Sequence, residues 1–173
     1  MDTPVKSTRA GSLKLYHELM ANKVGDILLV SCPYDAFIME EEGRLSTRII
    51  NEYKGLNLSK PPRLTWVSSA SEAFKRLEEK NFDLILAMPS LDEMDVYSFG
   101  EKVKQKYADL PFFMLLHNTC DIDQYICVDK SKAIDRTYIW GGNADLLLAI
   151  IKNFEDEMNV AFDTENADVR VVI

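Results

Sequence analysis

Phe82-Asp83-Leu84-Ile85-Leu86-Ala87-Met88 is the stretch from which the rest of the chain can be read. Its apolar residues run without alternation, which suits a strand covered on both faces rather than one with a wet side. An aspartate opens the run, and the turn-forming segment Pro89-Ser90-Leu91-Asp92-Glu93-Met94-Asp95 closes it. A helix is predicted next, from about Val96 to Tyr107, burying Phe99 and Val103.

The same alternation continues in both directions. Upstream, Asp26 to Ser31 is another continuous apolar strand, ended by Pro33. A helical region begins near Asp35 with Ala36-Phe37-Ile38-Met39. Gly43 interrupts it, and Leu45, Ile49, Ile50 and Tyr53 supply a second apolar stripe. Arg63 to Val67 forms a strand, followed by a helix over Glu72–Leu77 that either Ser69 or Ser71 caps. Downstream, Pro111 to Leu116 is the fourth strand and Ile134 to Trp140 the fifth. Residues 118–132 are polar and poorly periodic, a weak helix or an irregular connection. Gly141-Gly142 makes a turn, and Asn143 caps a helix carrying Leu146, Leu147, Ile150, Ile151, Phe154 and Met158.

Strands alternating with helices at this spacing predict an α/β fold. The expected sheet is parallel and five-stranded, in the order 2-1-3-4-5, with helices on both faces. Residues 1–25 read as an N-terminal extension with a helix over Ser12–Met20. Residues 26–160 form the domain. Residues 161–173 read as a linker, in which Asp168-Val169-Arg170-Val171-Val172-Ile173 begins a following domain's strand.

The formal charge of −8 argues against a nucleic-acid partner, which requires a basic surface. No apolar run approaches the roughly 20 residues that span a bilayer. Met1 to Gly11 lacks the apolar core of a secretion signal, so the cytoplasm is the expected location. Three cysteines, Cys32, Cys120 and Cys127, suggest no disulfide framework.

Chemistry-bearing clusters are few. Asp35 and Glu40 to Glu42 follow the first strand, and Asp92, Glu93 and Asp95 follow the third. Oxygen ligands from both loops could hold Mg²⁺ or Ca²⁺, although a solvated acidic rim is the plainer reading. His117, Cys120 and Cys127 match no zinc-ribbon spacing. His17 lacks any kinase-type surroundings, and one glycine pair at Gly141-Gly142 is ordinary turn chemistry. No metal or cofactor is expected.

Over residues 26–158 the strand and turn landmarks resemble a response-regulator receiver domain. The family carries two acidic residues after the first strand, a phosphoacceptor aspartate after the third, Thr or Ser after the fourth, and a lysine after the fifth. Carboxylates there hold Mg²⁺, which offsets the charge of the incoming phosphoryl group. In this chain the acidic pair falls on Ser31 and Cys32, and the acceptor on Met88. The hydroxyl falls on Leu116, the lysine on Trp140, and the switch aromatic on Thr137. Every one of these positions has changed type, which implies a pseudo-receiver that takes no phosphoryl group.

The runs Asp26 to Ile38, Glu41 to Ser46, Ile134 to Gly142 and Leu146 to Lys152 also resemble the N-terminal receiver-like region of bacterial multidomain phosphoenolpyruvate synthase or pyruvate phosphate dikinase-like proteins. That resemblance implies a non-catalytic regulatory or docking module whose partners are downstream domains of the same polypeptide, with a homodimer as a further arrangement. Receivers use their last helix and strand for such contacts. The matching face here carries Ala144, Leu147, Leu148, Ile151 and Phe154, residues that suit a docking face or the core equally; Leu15 and Leu19 offer a second surface. Two alternatives remain: a small-molecule or cation sensor using the vacated pocket, rimmed by Trp140, Ser31 and the acidic loop, and an active receiver using substitute acids.

Overall fold

A computed structural model describes residues 22–35, 37, 45–55, 61–91, 94–118, 125, 132–140 and 144–165. The elements are β1 (Asp26–Val30), α1 (Leu45–Gly55), β2 (Arg63–Val67), α2 (Ala70–Glu79), β3 (Leu84–Ala87), α3 (Val96–Lys106), β4 (Phe112–Leu116), β5 (Arg136–Ile139) and α4 (Ala144–Glu165). All strand pairs are parallel and the order is β2-β1-β3-β4-β5. The expected helix over Ser12–Met20, residues 119–124 and 126–131 of the connection before β5, the Gly141-Gly142 turn and the tail after residue 165 lie outside the described residues. No described helix is long and apolar enough to cross a membrane.

Strand position explains strand composition. β3 and β4 are buried at every residue, and β1 at all but its first. The edge strand β5 is at least partly exposed at every residue, and β2 at all but its last, Val67. Because side chains alternate along a strand, each central strand feeds two cores. Ile27, Leu29, Leu84, Leu86, Phe113 and Leu115 face α1 and α4. Leu28, Val30, Ile85, Ala87, Phe112 and Met114 face α2 and α3.

Local capping sets the helix starts. Ser69, not Ser71, caps α2: its hydroxyl accepts the Glu72 amide at 3.2 Å, while Glu72 Oε2 accepts the Ser68 amide at 3.3 Å. Asp95 caps α3 by accepting the Tyr97 and Ser98 amides at 3.1 and 3.0 Å. Hydrogen bonding from Ser98 holds the Asp95 carboxyl below its ordinary value. Gly100 lets α3 approach the next segment closely, since a Cβ there would meet Ala133 at 3.2 Å.

At the amino edge, Asp83 earns its place before β3 by accepting the Gly25 and Asp26 amides at 2.8 and 2.9 Å. The last helix is longer than its apolar stripe predicts. It continues past Met158 to Glu165 because no glycine or proline interrupts the chain there.

α4 also carries the most buried carboxylate described. Glu155 is 0% exposed and accepts from the Val24 amide at 3.1 Å, the Tyr53 hydroxyl at 3.0 Å and Lys152 Nζ at 2.9 Å. Lys152 Nζ also sits 3.7 Å from the centroid of the Tyr53 ring. Burial, reinforced by the Glu155 charge, pushes the Tyr53 phenol well up, so it remains a donor. One turn later Asn159 pairs with Asn22 twice, accepting its amide and donating to its carbonyl, each at 2.8 Å. The segment entering β1 is therefore pinned to α4 at two successive points.

Candidate functional site at the carboxyl edge of the sheet

Parallel α/β sheets present ligands beyond the carboxyl ends of their strands. Here those ends lead into Ser31, Met88, Leu116 and Trp140. The Met88 amide donates to the Val30 carbonyl at 2.9 Å, extending the ladder one residue past β3. The Trp140 amide donates to the Leu116 carbonyl and extends β5 in the same way. Met88 and Leu116 are fully buried and Trp140 is 2% exposed. Met88 and Trp140 join the core beneath α1 and α4, and Leu116 joins the opposite core. Apolar volume thus closes the edge from both sides of the sheet.

The remaining positions are also committed. Ser31 is buried; its Oγ accepts the Trp66 indole N–H at 2.9 Å, and its own amide donates to the Val67 carbonyl at 3.2 Å. Thr137 lies half-buried on β5, in register with Met114. The Cys32 thiol donates to Asp35 Oδ2 at 3.1 Å. Burial pushes that thiol up, which keeps the proton on sulfur.

A pairing not foreseen in the sequence sits beside this plug. His117 Nε2 lies 3.1 Å from Asp35 Oδ1, and the Asp35 side chain is 3% exposed. Both carboxylate oxygens are therefore occupied, one by imidazole and one by thiol. In the sequence Asp35 belongs to an acidic rim and His117 to an incomplete set of zinc ligands, and nothing there joins the two. Position offered the only clue: each lies just past a strand that flanks β3.

These contacts enclose one side of a cavity of about 450 Å³ lined by Cys32, Tyr34, Asp35, Ser90, His117 and Tyr125, among others. Its walls differ from the expected rim. Trp140 and Ser31 are withdrawn into the structure, and Asp35 is the acidic residue that reaches the space. Among the described residues no three His, Cys, Asp or Glu side chains are grouped to hold a metal ion. Asp95, one of the substitute acids considered above, is spent on the α3 cap. Asp92, Glu93, Glu40 to Glu42, Cys120 and Cys127 lie outside the described residues.

The apolar docking face requires correction. Leu147 and Ile151 are 2% and 1% exposed and belong to the core. Leu148 and Phe154 are half-buried against it, with the Phe154 ring edge-on to Phe113 at 5.3 Å. The stripe is broad because α4 packs on the sheet and on α1 together, not because it is open. What this side carries at its rim is a forked ion pair, in which Arg136 reaches Glu157 at 2.7 Å, while the exposed Ile139 of β5 lies on the opposite face of the sheet. Arg136 holds the Glu157 carboxyl below its ordinary value. The Ala144 side chain, Leu15 and Leu19 lie outside the described residues.

No protein-family model matches the chain, and no curated protein sequence does. Solved receiver structures do. The signal receiver domain of an HD domain-containing protein from Pseudomonas fluorescens Pf-5 is 17% identical, with a TM-score of 0.54 over 83% of this chain and 94% of that one. The response regulator TrrA from Thermotoga maritima, in complex with Mg²⁺-BeF, is 17% identical with a TM-score of 0.54, over 75% and 97%. The receiver domain of a sensor histidine kinase from Pseudomonas aeruginosa PAO1, with magnesium coordinated in its active-site cleft, is 19% identical with a TM-score of 0.53, over 77% and 98%. At these identities the likeness establishes the fold.

Proposed function

We propose that this chain is a non-catalytic receiver-like module that signals or docks without being phosphorylated. The observation that carries the reading is the burial of Met88, Leu116 and Trp140 across the edge where the family keeps its acceptor, hydroxyl and lysine. A phosphoryl group brings about two negative charges and needs a cation and hydrogen-bond donors to receive it. A thioether and an isobutyl group supply neither, and an indole offers a single N–H with no charge. The resemblance to N-terminal regions of phosphoenolpyruvate synthase-like proteins supports a partner in cis, among downstream domains of the same polypeptide. On this reading the contact face is the β5–α4 edge, marked by the Arg136–Glu157 pair.

Two of the structural neighbours hold Mg²⁺, one of them with BeF. Adding Mg²⁺ and beryllofluoride to this chain should therefore discriminate. Ligand at 100 times its Kd stabilises by about 2.7 kcal/mol, roughly 5–10 °C for a chain of this size. The expected change in Tm is none. A rise of that order would contradict the proposal.

A second reading, a small-molecule sensor, rests on the cavity beside Asp35 and His117. It shares the same scan. If nucleotides, phosphoenolpyruvate or divalent cations raise Tm while beryllofluoride does not, the sensor reading takes precedence.

A further inference from the structure

The cavity of about 450 Å³ at the carboxyl edge has a buried carboxylate in its wall and two tyrosines around it. The geometry points to a small organic amine as its ligand, bound in the ammonium form by Asp35 and against Tyr34 and Tyr125. This rests on the sensor reading and names the ligand class which that reading leaves open.

Charge decides the class. Among the described residues that line the cavity, Asp35 is the sole carboxylate, and none is a lysine or arginine. Its side chain is 3% exposed, so water solvates the charge poorly. The Cys32 thiol bonded to Oδ2 is uncharged, and the His117 imidazole at Oδ1 matches the charge only when it carries a proton. A carboxylate offers about four lone-pair positions, of which these two partners take one each. A desolvated anion of this kind favours a cation that also donates hydrogen bonds. Phosphoenolpyruvate or a nucleotide would instead meet Asp35 as a like charge. Mg²⁺ and Ca²⁺ take about six or more oxygens, and among the described residues no three metal-binding side chains converge.

The walls suit the same class. His117 is held by Asp35 at 3.1 Å, and the Trp140 ring centroid lies 6.3 Å from its own. The Tyr125 carbonyl accepts the Tyr97 hydroxyl, which ties that wall to α3. Tyr34 is 70% exposed and stands at the rim. The face of a tyrosine ring attracts an ammonium within about 6 Å of its centre. The volume falls within the range of whole-molecule pockets, about 300–1,000 Å³, so a free amine suits it better than the tip of a partner's lysine.

The test is an NMR titration of the full-length chain at neutral pH with three probes. These are phenethylamine, its uncharged isostere 2-phenylethanol, and phosphoenolpyruvate. The amine should give saturable shifts of the Ser90 and His117 amides, with the alcohol about tenfold weaker and phosphoenolpyruvate without effect. Asp35→Asn keeps the shape of the side chain and should weaken amine binding about tenfold. Tyr34→Ala, at an exposed position that folding tolerates, should weaken it about threefold, and decides the matter if the Asp35 variant does not fold. The amine class is overturned, with the sensor reading intact, if the alcohol or phosphoenolpyruvate binds as well as the amine. It is overturned in the same way if either folded variant binds the amine as the wild type does. If none of the three probes shifts a resonance of the cavity, the sensor reading falls with it.

Discussion

Glu155→Ala should destabilise the domain by about 3 kcal/mol, lowering Tm by roughly 6–12 °C. The carboxylate is fully buried and takes three donors from three parts of the chain: the Val24 amide, the Tyr53 hydroxyl and Lys152 Nζ. Removing it leaves the amide and the phenol without their acceptor, and burial denies both of them water. The Lys152 side chain is 20% exposed, so the ammonium can turn partly outward, which keeps the cost at the low end for a broken buried pair. Thermal denaturation followed by circular dichroism checks this. Glu155→Gln retains an acceptor oxygen and should fall between alanine and wild type. A shift below about 2 °C for alanine would mean that the clamp contributes little net stability.

Met88→Asp, which puts an aspartate where receiver domains carry their acceptor, should cost a comparable amount at neutral pH, about 3 kcal/mol. Met88 is fully buried in an apolar cluster with Leu86, Leu115 and Trp140. A carboxylate placed there would lose its hydration, so its folded-state pKa would lie above the unfolded value. The variant's deficit therefore grows as pH rises above the ordinary carboxylate range and shrinks as pH falls below it. Met88→Asn, which cannot ionise, should show no such dependence. Urea denaturation of both variants at acid and neutral pH measures the difference. An aspartate variant as stable as wild type at neutral pH would show that the edge is open to water or cations. Restoring this one carboxylate should not restore phosphorylation, because Leu116 and Trp140 still occupy the hydroxyl and lysine positions.

The sheet could be read from the chain because its central strands are buried on both faces. Leu84 to Ala87 and Phe112 to Leu116 have no polar residue to confuse the pattern. Strand order followed from the handedness of the crossovers and matched the structure. Single-helix periodicity was less reliable. It cannot tell a helix covering the sheet and α1 together from one with an apolar face left open, so it leaves Leu147 and Ile151, which the structure buries, equally open to either reading. Nor did the apolar stripe mark the end of α4, since a helix persists where nothing breaks it. The Asp35–His117 pair is a purely tertiary event between residues 82 positions apart, and no spacing rule addresses it. Glu155 was missed for a related reason. A glutamate on an amphipathic helix normally marks the wet side, whereas here the entering chain and Tyr53 wrap around it.

An edge filled by Met88, Leu116 and Trp140 should accept no phosphoryl group at all. Acetyl phosphate and Mg²⁺ should leave the intact mass of the native chain unchanged after prolonged incubation. A stoichiometric gain of about 80 Da, acid-stable and released at alkaline pH as an acyl phosphate is, would mean that this fold has rebuilt an acceptor elsewhere and that the plugged edge is not the end of its phosphoryl chemistry.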